Sequence, residues 1–247
     1  MEPLIIIQAR MGATRLPGKV LLDLCGKSVL HHVVERVQAC PKVKNIVVAT
    51  TVNENDDAIE KETRNIGISC FRGSETDVLD RYYQTTQTFS GDPVVRITAD
   101  CPLLDPELLT SMLKTYENLS SSKNLLYLSN VQERTFPRGL DIEIFNRDAL
   151  ILAWEKAEAP EEREHVTPYI HRNPERFSLH NFSQTKDLSQ LRWTLDTPDD
   201  LILIREIYEA LYNEKVGAIF STRDVLDLLE KNPELKTLNA HIQQKAH

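Results

Sequence analysis

Short apolar runs rich in β-branched residues alternate along the chain with longer segments in which apolar residues recur at helical spacing. The short runs predict strands at 4–9, 45–51, 67–71, 93–98, 125–129, 140–145 and 191–195. The longer segments predict helices at 29–39, 55–65, 77–88, 106–118, 147–158, 162–172, 199–212 and 222–231. Because strand and helix alternate, we predict an α/β fold with a Rossmann-like, doubly wound and mostly parallel sheet that carries helices on both faces.

The chain of 247 residues has the length of one large α/β domain or of two small ones. No internal repeat and no convincing linker interrupts it, so we predict a single domain at 1–235 and a polar tail at 236–247. Residues 120–185 are predicted to form a small lobe inserted beside the sheet. The composition of residues 120–123 and of the segment after Asn232 indicates the least order.

Composition and charge exclude several classes of function. The net charge of −8 argues against broad nucleic-acid binding, which needs a cationic surface, but it leaves room for a small basic pocket. No run approaches the roughly 20 apolar residues of a membrane span, and the apolar run at the N-terminus has no basic leader, so we predict no membrane partner. The cysteines form no CxxC pair, which is typical of reduced thiols in a cytoplasmic protein: Cys25, Cys40, Cys70 and Cys101.

A loop with glycine and three cations follows the first predicted strand, where ligands bind in open α/β sheets. Glycine lets backbone N–H groups approach phosphates, arginine grips phosphate oxygens as a planar fork, and lysine acts as a point charge. We therefore predict that the loop binds a nucleoside triphosphate, although basic residues scattered on a surface loop would have the same spacing. The residues predicted to bind the nucleotide here are Ala9, Arg10, Gly12, Arg15 and Lys19.

The same loop does not match the P-loop of ATPases and GTPases. Gly18 follows Gly12 by six residues, where that motif requires five. Val20 also replaces the hydroxyl residue that would bind Mg²⁺. An ATPase or GTPase is therefore not favoured.

The run IIIQARMGATRLPGKVL resembles the opening signature of the cytidylyltransferase superfamily that activates acidic sugars, such as the enzymes that make CMP-3-deoxy-manno-octulosonate and CMP-sialic acid. The nearest likeness is to the branch named after the spore coat polysaccharide biosynthesis protein SpsF. One departure is Ala13, where family members often carry Ser, and Thr14 could supply a nearby hydroxyl. The likeness spans about 8 to 200 in the same order, with further matches at 73–81, 96–103, 137–141, 163–169 and 193–197.

The resemblance implies a reaction and its partners. It implies transfer of CMP from CTP to an acidic sugar or similar acceptor, with release of pyrophosphate, in the synthesis of surface polysaccharide or glycan precursors. The implied partners are CTP, a small acidic acceptor and a second copy of the chain, because relatives are often homodimers. The contact in such a homodimer is expected in the 120–185 lobe.

Asp100 and Asp196 each follow a predicted strand at its carboxyl end. Carboxylates are ligands that Mg²⁺ prefers, and the resemblance points to the same two residues as ligands of magnesium near the nucleotide phosphates. Asp100 could instead be a turn residue, and Asp196 could cap a helix. We predict Mg²⁺ as the cofactor on Asp100 and Asp196, and catalytic roles for Arg10, Arg15, Lys19 and Asp100.

The sequence of residues 197–200 predicts the start of a helix. Thr197 is the better cap for it and Pro198 its natural first residue. Asp199 and Asp200 would then lie in its first turn, where they offset the helix dipole. We therefore predict no catalytic role for either of these two carboxylates.

Polar residues also cluster after the third predicted strand, in a region that lies near the nucleotide in related enzymes. Arg72, Ser74 and Asp77 are predicted to contribute to nucleotide binding by reading the cytosine edge. Asp77 and Arg81 could equally form an i,i+4 helix pair worth about 0.2–0.5 kcal/mol. The preference for CTP comes from the resemblance and from no single residue.

The lobe is predicted to bind the acceptor. Arginine could grip its carboxylate as a fork, and an aspartate could hydrogen-bond sugar hydroxyls. A lone histidine in such a segment is more often structural, so the role of His165 is left open. The predicted acceptor-binding residues are Arg134, Arg138, Asp141, His165 and Tyr169.

Two other functions share parts of this pattern. A pyrophosphorylase that activates a sugar 1-phosphate with another nucleoside triphosphate has the same fold and a similar glycine-rich basic loop. A regulatory protein that binds nucleotides without catalysis would need neither the intact cations nor the intact carboxylates. The identity of the acceptor separates the two enzymes, because a sugar phosphate attacks with a phosphate oxygen and a keto-acid sugar with a hydroxyl.

Overall fold

The computed structural model describes residues 1–120, 125–212 and 219–243. The expectation for residues 121–123 therefore lies outside the described residues. The strands are β1 Leu4–Gln8, β2 Asp23–Leu24, β3 Lys27–Ser28, β4 Asn45–Thr51, β5 Ser69–Gly73, β6 Val94–Thr98, β7 Leu126–Ser129, β8 Glu143–Phe145 and β9 Ser178–Asn181. The helices are α1 Val29–Gln38, α2 Asp57–Ile66, α3 Val78–Thr88, α4 Pro106–Leu119, α5 Arg147–Lys156, α6 Pro160–His165, α7 Pro168–His171, α8 Pro198–Leu211 and α9 Thr222–Lys231.

Across the described ranges, seven strands form one sheet in the order β5-β4-β1-β6-β8-β7-β9. Strands β5, β4, β1 and β6 are parallel, β8 is antiparallel to both β6 and β7, and β9 is parallel to β7. The predicted α/β fold with a mostly parallel sheet is confirmed. The chain passes from β1 to β4 and β5 on one side and then to β6 on the other, which opens a crevice beyond the carboxyl end of β1.

Helices cover both faces of the sheet. Residues Ile5 and Ile7 of β1 pack in one core with α1, α4 and α8, and Leu4 and Ile6 pack in the other with α3, α5 and α7. Strand β1 is buried on both faces, which explains its unbroken apolar run. Each side chain buried in this way stabilises the fold by about 1.5–3 kcal/mol, so the β1 strand that carries the basic loop is firmly held.

Some predicted boundaries were wrong. Within the described residues, segment 191–195 pairs only through an isolated parallel bridge between Arg138 and Arg192, so the predicted strand does not form. The predicted helix at 162–172 is divided into α6 and α7, because Val166 has a φ of 73° and Pro168 begins α7. Strand β9 was missed, because its sequence SLHN has no apolar run.

The predicted start of the helix after Asp196 is found in the structure. Thr197 caps α8 and Pro198 is its first residue, as predicted.

Within the predicted polar tail, Asn239 is 4% exposed and hydrogen-bonds to the domain, so the segment packs against the domain at least as far as this residue. The boundary of the domain stays a prediction. In the part of the chain that is described, no helix is both long and apolar enough to cross a membrane.

Candidate active site

A cavity of about 510 Å³ opens at the carboxyl ends of β1 and β6. Gln8 and Thr98, the last residues of those strands, form part of its lining. The sheet therefore brings the basic loop and the predicted carboxylates to one place. The predicted site residues that line this cavity are Ala9, Arg10, Arg15, Lys19, Asp100, His165 and Asp196.

The basic loop is fastened at Met11. The Met11 N–H donates to Asp56 Oδ1 at 2.7 Å, and the Met11 carbonyl accepts from the N–H groups of Ala13 at 2.8 Å and Gly18 at 3.0 Å. Asp56 is 2% exposed, and its other oxygen accepts from Thr51 N at 3.2 Å. The loop is thus a closed turn anchored to the end of β4. No sequence pattern indicates this role of Asp56, because its contact with Met11 crosses 45 residues.

Gly18 turns the chain so that Lys19 enters the cavity. Its φ of 69° lies in the left-handed region, which glycine adopts without strain. A Cβ there would also lie 3.2 Å from the Met11 side chain. A short 3-10 turn at Lys19–Leu21 follows directly.

Asp196 reaches the cavity on the extended segment 191–195. The Leu195 N–H donates to the Asp100 carbonyl at 2.8 Å, and the Trp193 N–H donates to the Arg138 carbonyl at 2.6 Å. Gly139 permits this close approach, because a Cβ there would lie 2.5 Å from the carbonyl carbon of Trp193. The predicted position of Asp196 beside Asp100 is therefore reached without a strand at 191–195.

The ammonium of Lys19 lies between the two predicted metal ligands. Its Nζ is 2.6 Å from Asp100 Oδ2 and 2.7 Å from Asp196 Oδ1. Burial would lower the pKa of Lys19, but the charges of Asp100 and Asp196 outweigh burial and raise it. Lys19 is therefore a cation at neutral pH.

Two arginines also contact Asp196. Arg15 Nη2 lies 3.1 Å and Arg192 Nη2 2.8 Å from Asp196 Oδ2. Burial would raise the pKa of Asp196, yet Lys19 and Arg192 hold it below its ordinary value. Asp196 is therefore ionised at neutral pH and balances three cations, two from the basic loop and one from segment 191–195.

The same two carboxylates suit a divalent cation. One Nζ contacts both of them within 2.7 Å, so a cation in that position would reach oxygens of Asp100 and Asp196 together. Among the described residues, no group of three or more His, Cys, Asp and Glu side chains could hold a metal ion. Two carboxylates are nevertheless a donor set that fits Mg²⁺, which is commonly bound by one or two carboxylates and completes its shell with waters and substrate phosphates.

Arg72, which was predicted to bind the nucleotide, is not among the described residues that line the cavity, and it fastens α2 to the end of β4. Its Nη1 lies 2.5 Å from Asp57 Oδ1 and 3.1 Å from Glu60 Oε2. Its Nε donates to the Thr51 carbonyl at 2.9 Å, and its Nη2 donates to the Asn53 carbonyl at 2.8 Å. These contacts use four of its five N–H donors, and the predicted role of Arg72 in reading the base stays a prediction.

Ser74 and Asp77 organise the start of α3. Asp77 caps the helix by accepting from Asp80 N at 2.8 Å, and its Oδ2 accepts from Arg163 Nε at 2.9 Å and Nη2 at 2.6 Å. Ser74 Oγ accepts from Asp77 N at 3.0 Å. As far as the described residues go, neither lines the cavity, and their predicted contact with the nucleotide stays a prediction. The alternative ion pair between Asp77 and Arg81 does not form, because Asp77 pairs with Arg163 instead.

Arg81 lines the cavity although it was left out of the predicted set. The residue is 2% exposed, and its Nη1 donates to the Ser74 carbonyl at 2.9 Å. In the described part of the chain its Nε lacks a hydrogen-bond partner, and burial lowers its pKa. Helical spacing could have found it, because Val78 and Arg81 are three residues apart on one face of α3 and both line the cavity.

The predicted acceptor residues do not all reach the cavity. Arg134 and Asp141 bind each other, with Nη1 to Oδ1 at 2.6 Å and Nη2 to Oδ2 at 2.9 Å. Tyr169 is 9% exposed and packs in the core, where its hydroxyl accepts from Arg176 Nη1 at 2.9 Å. His165 does line the cavity, together with its neighbour Glu164, which was not predicted.

Arg138 differs from the other predicted acceptor residues. Among the residues described, its guanidinium makes no hydrogen bond or ion pair, although its backbone pairs with the 191–195 segment. Burial and the charge of Arg134 lower the pKa of Arg138. A half-buried guanidinium with these neighbours is suited to an anion that comes from outside the chain.

Comparisons with known proteins agree with the sequence motifs. The sequence profile of the family described as Cytidylyltransferase matches residues 4–245. The chain is 34% identical to the spore coat polysaccharide biosynthesis protein SpsF of Bacillus subtilis over 95% of this chain and 96% of SpsF. The solved structure of a cytidylyltransferase from Leptospira borgpetersenii serovar Hardjo-bovis superposes with a TM-score of 0.89 at 34% identity, over 100% of both chains.

A more distant solved structure shares the fold. CMP:2-keto-3-deoxy-manno-octonic acid synthetase in complex with CTP superposes with a TM-score of 0.66 at 21% identity, over 85% of this chain and 99% of that chain. The family profile and the two relatives at 34% identity each match nearly the whole chain. The chain therefore belongs to the cytidylyltransferase family, in the branch that includes SpsF, and is a CTP-dependent nucleotidyltransferase.

Proposed function

We propose that the protein transfers CMP from CTP to a hydroxyl of an acidic sugar or similar acceptor and releases pyrophosphate. The observation that carries this proposal is the Lys19 ammonium held between Asp100 and Asp196 in the cavity at the end of β1. Membership of the cytidylyltransferase family supports CTP as the donor. Likeness to SpsF, which is named for polysaccharide biosynthesis, supports a role in making surface polysaccharide or glycan precursors.

The reaction is an in-line displacement at the α-phosphorus of CTP. An acceptor oxygen forms the new P–O bond, and the bond from the α-phosphorus to pyrophosphate breaks. Arg10, Arg15 and Lys19 would hold the triphosphate and stabilise the negative charge that develops on pyrophosphate. Arg15 and Lys19 now contact Asp196, so they would exchange these contacts for phosphate oxygens when CTP binds.

Asp100 and Asp196 are the residues that would hold Mg²⁺. When bound, Mg²⁺ would supply positive charge beside the α-phosphate and lower the pKa of the attacking hydroxyl. Thr98 Oγ1 donates to Asp100 Oδ1 at 2.6 Å and fixes that carboxylate toward the cavity. The chain itself mainly contributes positioning and charge, which suits phosphoryl-group chemistry.

The acceptor would bind between His165 and Arg138. Arg138 can grip its carboxylate, because its guanidinium has no partner within the described residues. Arg134 and Asp141 form a bidentate pair with each other, which leaves few of their polar atoms for the acceptor. We expect this pair to support Arg138 instead. His165 lines the cavity and would lie near the acceptor hydroxyls.

The proposal includes the cellular setting and the assembly of the enzyme. We expect a cytoplasmic homodimer, as the sequence resemblance implies. Light scattering of the purified protein measures the mass of the assembly, and cell fractionation locates the enzyme. A monomeric mass at micromolar concentration would remove the homodimer from the proposal and leave the reaction untouched.

The test is pyrophosphate release with each of the four nucleoside triphosphates and Mg²⁺, against a panel of acidic sugars and sugar phosphates. We expect release with CTP and a keto-acid sugar. Release only with another nucleoside triphosphate and a sugar 1-phosphate would replace this proposal with a pyrophosphorylase. Absence of release with any pair, while CTP still binds, would contradict the assignment for every acceptor on the panel.

A further inference from the structure

Asp200 is a buried carboxylate directly behind the cavity. It lies in the first turn of α8 and is 0% exposed. Its Oδ2 accepts from the backbone N–H groups of Asp196 and Thr197, each at 3.0 Å. The helix dipole favours an acidic residue in a first turn, but it does not account for complete burial or for the hydrogen bond to Asp196.

Arg192 connects Asp200 to the carboxylate of Asp196. Its Nε lies 2.9 Å from Asp200 Oδ1 and its Nη2 3.1 Å from Asp200 Oδ2, and the same Nη2 lies 2.8 Å from Asp196 Oδ2. One cation therefore serves two carboxylates. Because Asp200 accepts from both Nε and Nη2 of Arg192, the charge of Arg192 is shared with Asp200, and Asp196 keeps negative charge for the cations in the cavity.

Asn239 brings the C-terminal segment into the same network. It is 4% exposed, and its Nδ2 lies 2.9 Å from the carbonyl of Arg192 and 2.9 Å from Asp200 Oδ1. This one amide therefore fixes both the backbone of the segment that leads to Asp196 and the carboxylate that orients Asp196. The network thus couples residues near the end of the chain to the cavity.

We propose that Asp200 and Asn239 are positioning residues for Asp196. They hold its backbone and balance the charge of Arg192, so that the Asp196 carboxylate faces the cavity as an anion. Support of the active site then extends from the sheet to the C-terminal segment. The proposal rests on the proposed function to the extent that Asp196 acts in turnover of CTP.

The two variants Asp200→Asn and Asn239→Ala test different parts of the network. Asp200→Asn keeps the size of the side chain but removes the negative charge that shares Arg192 with Asp196. We expect at least about tenfold weaker binding of Mn²⁺ and at least about a tenfold lower kcat, with the KM for CTP changed less. Asn239→Ala keeps the charge of Asp200 and removes only the bridging amide, so we expect the same pattern at about threefold to tenfold.

Asp199→Asn is the matched control. Asp199 lies in the same helical turn, but its side chain is 45% exposed and lies 3.2 Å from His241 at the surface. We expect its Mn²⁺ affinity and kcat to stay within about twofold of the wild-type values. Mn²⁺ binding is measured by titration calorimetry on protein shown to be folded by circular dichroism, and kcat by pyrophosphate release.

The outcomes separate a positioning role from a purely structural one. If both variants lose thermal stability but bind Mn²⁺ and turn over CTP as Asp199→Asn does, the proposal is overturned. If Asp200→Asn does not fold, Asn239→Ala alone decides between the two roles. If wild-type protein binds Mn²⁺ without using CTP, the proposed function fails while the Mn²⁺ comparison still decides on positioning. If it does neither, both proposals fall.

Discussion

Two clusters of charged residues lie at the carboxyl edge of the sheet, and the sequence predicted one cation of each, Lys19 and Arg72, to bind the nucleotide. In the first, Lys19 contacts carboxylates that lie 81 and 177 residues away in the chain. In the second, Arg72 contacts groups 12 to 21 residues away, within one βαβ unit. Distant partners gathered in a cavity indicate a site, whereas near partners indicate the local scaffold.

The surroundings of the two clusters differ in the same direction. Lys19 has an 11% exposed side chain and contacts two carboxylates of which neither is more than 24% exposed. Asp57, a partner of Arg72, is 65% exposed. Charges removed from water must be compensated by partners, whereas an exposed pair contributes about 0–1 kcal/mol. Removing one charge should therefore have a large effect on the first cluster and a small one on the second.

The largest effect is expected from Lys19→Ala and Asp100→Asn. Each should lower kcat by at least about a hundredfold, which is the scale of losing a preorganised charge contact, while the protein still folds. Pyrophosphate release measures the rate, and circular dichroism checks the fold. Lys44→Ala, at a side chain that is 75% exposed, is the control for loss of a positive charge. Rates near wild type in both variants would contradict the assignment of the site.

The next effect concerns the anchor of the basic loop. In Asp56→Ala the Met11 N–H loses its acceptor, and donors of Thr50 and Thr51 lose theirs. We expect kcat/KM for CTP to fall at least about tenfold, and the free energy of unfolding to fall by about 1–3 kcal/mol. Asp57→Ala, at the adjacent exposed carboxylate, should change kcat/KM by less than about twofold. If the two variants behave alike in kinetics, the loop does not depend on this anchor.

The contrast also explains which parts of the molecule the sequence could predict. The parallel half of the sheet follows from local patterns, because buried strands read as apolar runs and helices as periodic segments. Asp100 was found because it closely follows the carboxyl end of such a strand, β6. Asp196 was found for a reason that was partly wrong, since 191–195 is extended beside Gly139 and pairs only through an isolated bridge.

Residues whose roles depend on their side-chain partners in the folded chain were missed, or were assigned without those partners. Asp56 was not singled out and Asp200 was predicted only to offset a helix dipole, because no sequence pattern shows their contacts with Met11 and Asp196. Arg134 and Asp141 were both assigned to the acceptor, although they bind each other across a seven-residue separation. Sequence patterns indicate which groups carry charge, but the partner of each charge is set by the packing of the folded chain.

A smaller effect, on a single substrate, is expected from Arg138→Ala. Because this guanidinium lacks a partner within the described ranges, its loss should leave stability nearly unchanged and raise the KM for the acceptor about tenfold. The KM for CTP should stay the same. Arg138→Lys keeps the positive charge without the planar fork, so its KM for the acceptor should lie between those of the wild type and Arg138→Ala. The measurement is the initial rate against acceptor concentration at saturating CTP. Loss of CTP binding would contradict the assignment of Arg138 to the acceptor rather than to CTP.

The smallest effect is expected at Arg72, and it tests the comparison most directly. Arg72→Ala removes a guanidinium whose donors already bind Asp57, Glu60 and two backbone carbonyls. We expect kcat/KM for CTP to change by less than about threefold and the free energy of unfolding to fall by about 1 kcal/mol, because the pairs are partly exposed. Arg15→Ala is the matched variant, since it removes the same group from the first cluster and should lower kcat/KM at least about tenfold. Arg72→Ala could instead reduce kcat/KM as much as Arg15→Ala does. In that case partners that are near in the sequence do not indicate a purely structural role, and Arg72 must break its contacts with Asp57 and Glu60 to bind the nucleotide.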